Sequence, residues 1–90
     1  MSDDRFIVRY IHDHDVHSFR IEAPTTDLRY AFAEAMSNLY MRDLTQVFWS
    51  IWQDDKFVAG FNKHGFSMTL PRWQQVEEQV SNSNSEVKHG

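Results

Sequence analysis

Apolar and polar positions alternate cleanly over residues 18–22 (SFRIE), but over residues 47–52 (VFWSIW) the alternation fails. Successive side chains of a strand point to opposite faces, so a half-buried strand reads apolar–polar. Here Val47, Trp49 and Ile51 share one face, and Phe48 and Trp52 share the other with only Ser50 between them. Neither side suits water. The neighbouring run KFVAGF follows after Asp54-Asp55, a tight-turn pair, so residues 47–61 are expected to form an antiparallel hairpin.

The remaining elements follow from the same two periods. Residues 5–12 and 16–23 are rich in β-branched and aromatic residues and flank Asp13-His14-Asp15, which predicts a first hairpin. Phe6, Val8 and Tyr10 fall on one side of its first strand, with Ile7 and Ile11 on the other. Leu28, Ala31, Phe32, Ala35 and Leu39 recur at helical spacing and predict a helix over 26–42, capped by Thr25 or Thr26 with Asp27 in its first turn. A turn at 62–65, with Gly65 available for a positive φ, precedes a short strand at 66–68. Thr69 then caps a shorter helix over 70–80 that carries Trp73, Val76 and Val80 on one side, Pro71 being tolerated in its first turn. The expected fold class is α+β in the order ββ-α-βββ-α, an antiparallel sheet packed against one long and one shorter helix. Residues 1–80 form a single domain in this reading, and SNSNSEVKHG (81–90) forms a disordered polar tail.

Ninety residues, 41% of them hydrophobic and 14% aromatic, are enough for one core. The net charge of −4 disfavours nucleic acid and anionic membranes as partners. There is no cysteine, so thiolate metal sites and cysteine nucleophiles are excluded. No apolar run approaches the ~20 residues that span a bilayer, and MSDDRF does not read as a signal peptide, so a cytoplasmic location is expected. No nucleophile elbow or phosphate loop is visible among three glycines, and the Glu77-Glu78 pair reads as solvated, so no enzyme activity and no cofactor are expected. The one cluster of metal-ligand types is IHDHDVH, where His12, His14 and His17 could chelate from a hairpin tip. A solvated turn is the simpler reading, because such a tip lacks the enclosing shell that a metal site needs.

Three fates remain for the aromatic strand. Helices on both faces could bury it; helices on one face could leave the other to a second chain; or exposed rings could stack on bases. The second is the leading expectation: a small non-enzymatic protein-binding module, homodimeric and contacting an unidentified protein partner, with Phe48, Trp49, Trp52, Phe57 and Phe61 at the interface. Such a chain would suit an accessory protein of a phage or mobile element.

Residues 63–80 (KHGFSMTLPRWQQVEEQV) also resemble the end of the PC4-type transcriptional coactivator domain: a Lys-Gly turn, a short strand, then a helix carrying a tryptophan. Gly65, Ser67 and Trp73 fall on that pattern, and Trp52 falls near an aromatic position of the preceding strand. The resemblance implies a curved antiparallel sheet plus helix, dimerisation through this region and binding of single-stranded DNA. Lys63, Arg72 and Trp73 would then meet the nucleic acid.

Overall fold

The structure, a computed structural model, describes residues 5–22 and 27–89, with side chains as far as Ser81. Strands β1 (Ile7–His12) and β2 (Asp15–Arg20) form the first hairpin, and β3 (Trp49–Gln53) and β4 (Lys56–Phe61) the second. Both use two-residue turns in which each central residue is left-handed: Asp13 and His14 at φ 58° and 66°, Asp54 and Asp55 at 53° and 60°. Such turns match the twist of the strands they join, and aspartate and histidine tolerate this region better than most side chains. A two-residue β5 (Ser67–Met68) completes an antiparallel sheet of order β2-β1-β3-β4-β5.

Helix α1 (Leu28–Met41) begins at Asp27, whose carboxylate accepts the backbone N–H of Arg29 at 2.9 Å. That bond, more than the nearby Arg29 guanidinium, holds the Asp27 carboxyl below its ordinary value of 3.8. Asp27 is therefore the cap itself, not a first-turn residue; Thr25 and Thr26 lie outside the described residues. The helix ends with Asp43 left-handed at φ 59°, the N–H of Leu44 reaching Leu39 O at 2.8 Å and that of Asp43 reaching Tyr40 O at 3.0 Å. This paired closure usually takes glycine, and here aspartate fills the position.

The sheet is covered on both sides. On the first face Val8 and Tyr10 lie opposite Ile51 and Trp49, with Phe19, Ala59 and Phe61 in register on the flanking strands. Helix α1 closes it with Ala31, Ala35 and Leu39, all buried. On the second face Arg9 lies opposite Ser50, and Ser50 opposite Gly60. Helix α2 (Leu70–His89) covers this side and buries Trp73 completely. Its Glu77 meets the Arg9 guanidinium at 3.1 Å and accepts the Trp73 indole N–H. Trp52 donates to Ser50 Oγ at 2.7 Å, which satisfies the buried hydroxyl.

The α+β class and element order are as expected, and three details differ. The helices take opposite faces, so the Phe48–Trp52 side is not left for a second chain. Helix α2, at 20 residues, is the longer one, because it runs through 81–89 where a polar tail is expected. After Pro71 no proline or glycine interrupts the chain until Gly90, and each added turn extends an existing ladder instead of nucleating a new one. Glu77 is half-buried in an ion pair and not simply solvated.

Both layers should matter to stability. Leu39→Asp, which sets a charge in the α1 face, and Trp73→Ala, which empties the α2 face, should each lower urea-unfolding stability by about 3–5 kcal/mol. A loss below about 1 kcal/mol for Trp73→Ala would show that α2 does not close the second face.

Candidate functional site

Helix α1 covers its face of the sheet unevenly. Ala31 and Ala35 are buried against the sheet, while Arg42 at the helix end reaches toward β1 and β2, donating to the Tyr10 hydroxyl at 3.3 Å and lying 4.6 Å from the Phe19 ring centre. The β4 side is left less covered. Along that flank Leu28, Phe32, Met36 and Tyr40 follow one another four residues apart, the spacing that stacks side chains in a row on a helix. All four are exposed: 40%, 38%, 42% and 74%. Sequence periodicity places Leu28 and Phe32 in the buried stripe; the structure puts them on its rim, because the small alanines and Leu39 take the line nearest the sheet.

Beside this row runs a groove of about 550 Å³. Its floor is aromatic. Trp49 and Phe61 stack at 4.6 Å between ring centres, and Phe32 lies 5.4 Å from Trp49 and 5.2 Å from Phe61. Met36 forms part of one wall and the loop at 62–65 the other. That loop is well tied: the Asn62 side-chain oxygen accepts from the N–H of His64 and of Phe66, at 2.8 and 3.0 Å, and Gly65 supplies φ 86°. A smaller hollow lined by Met36, Tyr40, Leu44 and Trp49 continues the groove toward the end of α1. Nothing here arranges an acid, base and nucleophile. The groove offers an aromatic floor rimmed by polar residues, among them Thr45, Gln46 and Lys63.

On the other side of the 62–65 loop lies a second groove, of about 380 Å³, lined by Phe48, Lys63, His64, Thr69 and Arg72 among others. Its lining carries bases and no carboxylate, a local reversal of the overall charge.

The five residues expected at an interface therefore separate. Trp49 is buried and Phe61 half-buried, as the floor of the first groove. Phe48 lines the second groove, and Trp52 and Phe57 meet edge-to-face at 5.5 Å. Gly60 keeps that packing open, since a Cβ there would lie 2.9 Å from the Phe57 ring. Of the residues implied to touch nucleic acid, Lys63 and Arg72 converge on one groove, but Trp73 is wholly buried with its indole N–H on Glu77 and cannot stack on a base.

His12, His14 and His17 of the first hairpin are each engaged. The His17 ring stacks on Tyr10 at 5.3 Å and its Nε2 lies 3.2 Å from the His12 carbonyl oxygen, while His14 occupies the left-handed turn. Among the described residues no group of three or more His, Cys, Asp or Glu side chains could hold an ion, and no helix is long and apolar enough to cross a membrane.

The members of the exposed row that sequence reasoning missed are Met36 and Tyr40. Its signal was present: Leu28, Phe32, Met36 and Tyr40 extend the apolar stripe beyond what one sheet face can cover. No protein-family model, no curated protein and no solved structure matches this chain.

Equimolar zinc should leave the thermal midpoint within about 1 °C of the value measured in chelator. A rise of several degrees that is lost on His12→Ala would establish a site at the first hairpin.

Proposed function

We propose that this chain is a non-enzymatic protein-binding module that works as a homodimer, and that the flank of α1 with its groove is the contact surface. The observation that carries this reading is the row Leu28, Phe32, Met36 and Tyr40: four large apolar side chains, contiguous and exposed, beside an aromatic floor. Scattered exposed hydrophobic residues need no explanation, whereas a continuous row of this kind marks a surface that another chain covers. Trp49 and Phe61 keep the interface role expected of them, as groove floor; Phe48, Trp52 and Phe57 belong to the opposite side and leave it. Apolar area covered at the row contributes ~25 cal/mol per Å², against the entropic cost of association.

Sedimentation equilibrium at tens of micromolar should give twice the chain mass of 10.7 kDa. Met36→Glu should shift the protein to monomer without changing its far-ultraviolet circular dichroism. A wild-type chain that stays monomeric at high concentration would refute the homodimer.

The second groove favours one other reading, a single-stranded nucleic-acid-binding domain of PC4-like kind, because Lys63, His64 and Arg72 gather there beside Phe48. The net charge and the burial of Trp73 weigh against it. Fluorescence anisotropy with a labelled oligonucleotide at physiological salt should show no binding tighter than ~10 μM, since few cations are available to displace counterions. Sub-micromolar, strongly salt-dependent binding that is abolished by Lys63→Glu and Arg72→Glu would put this reading first.

A further inference from the structure

We infer that the two copies pair through their α1 helices, antiparallel about a two-fold axis that passes beside Met36, so that each copy's α1 seats against the other's exposed row. This inference rests on the homodimer reading above and adds its geometry.

In an antiparallel two-fold pairing, residues equally far on either side of the axis meet. With Met36 at the axis, Phe32 faces the partner's Tyr40, and the first turn, with Leu28 and Arg29, comes beside the segment that closes the partner's helix, with Leu44 and Asp43. Each match is complementary: ring on ring, aliphatic on aliphatic, cation on anion. The six positions other than Met36 repeat on the second copy, so each of the three matches occurs twice. Phe32, Met36 and Tyr40 are exposed; Leu44 packs against the core and is half-buried at the end of the groove; the Arg29 side chain is 93% exposed beside Asp27, its neighbour at 3.5 Å, and can turn from it to the partner. Asp43 is exposed as well, held just past the last turn by the helix closure.

A parallel pairing would instead set Arg29 on Arg29 and Asp43 on Asp43, and would align the two helix dipoles unfavourably. Ala33 and Ser37, exposed on the next row of the helix, are small enough for two helix axes to approach to about 8–10 Å. At that separation, Cα atoms on the facing sides come within the 5.5–6 Å or so that a disulfide spans.

The chain has no cysteine, so single-cysteine variants of the whole protein report the geometry directly. Oxidised Met36→Cys should run as a covalent dimer, whereas Leu28→Cys should not. An equimolar mixture of Phe32→Cys and Tyr40→Cys should give mainly the mixed disulfide. Charge reversal supplies a second readout. Arg29→Asp should weaken dimerisation about five-fold, two exposed pairs being lost, although a negative charge near a helix N-terminus favours the helix itself. Adding Asp43→Arg to it should return the dissociation constant to within about two-fold of wild type. A wild-type dimer in which Leu28→Cys self-links instead of Met36→Cys, or in which Ser18→Cys on the open edge of β2 links while Met36→Cys does not, would overturn the pairing and leave the homodimer reading standing. A wild-type chain that sediments as monomer would remove both.

Discussion

Strand β3 cannot present either side to water, and the rest of the molecule is arranged around that constraint. Trp49 and Ile51 on one side and Trp52 on the other, about a Ser50 that is itself buried, require cover from above and below. A chain of 90 residues meets this by placing β3 in the middle of the sheet, between β1 and β4, and by sending one helix to each face. The two faces are built differently. Helix α1 brings alanine and leucine to a dry apolar layer, whereas α2 brings a tryptophan whose N–H, together with the Arg9 guanidinium, is satisfied by Glu77. Arg9 also lies over the Trp52 ring, 5.0 Å from its centre, so the charge that closes the polar network packs on the exposed edge of the same layer.

The narrow buried line of α1 has a consequence on its flank. Only Ala31, Ala35 and Leu39 of this helix are buried, and the Arg42 contacts with Tyr10 and Phe19 hold its end toward β1 and β2. One helix of this width then leaves the β4 side of the same face only partly covered. Phe32, Trp49 and Phe61 fill the near part of that space as a packed trio, and the row through Met36 and Tyr40 borders what is left. The candidate contact surface is thus the unfinished margin of the core, not a separate device added to it. A second helix laid beside the first would finish it, and α1 of another copy carries the residues that match.

Much of this was legible in the residues. The β-branched and aromatic runs at 5–12 and 47–61, bounded by turn residues, and the apolar spacing from Leu28 to Leu39 suffice for the element order, and strand parity for the side that Val8 shares with Tyr10 and Trp49 with Ile51. The paired aspartates at 54–55 mark a hairpin by their tolerance of positive φ. What local pattern does not contain is the assignment of helices to faces. Trp73 at helical spacing reads the same whether α2 joins α1 or opposes it, and the decision rests on Arg9 and Glu77, 68 positions apart in the chain. The same limit explains the interface residues. Parity shows that Trp49 and Trp52 point apart, but which of them meets a groove depends on where α1 lies across its face of the sheet. In the histidine run, the His12 and His17 rings lie 6.3 Å apart, and His17 is taken up by Tyr10 and the His12 carbonyl, contacts that the spacing of ligand types does not reveal.

The central claim is that the margin of α1 is covered by the same margin of a second copy. An isotope-filtered nuclear Overhauser experiment tests it most directly, on a sample mixed from uniformly labelled and unlabelled chains. The account requires intermolecular cross-peaks from the Met36 methyl to its own counterpart, and between the rings of Phe32 and Tyr40. Intermolecular peaks confined to β2 or to the second groove, or none at millimolar concentration, would contradict it.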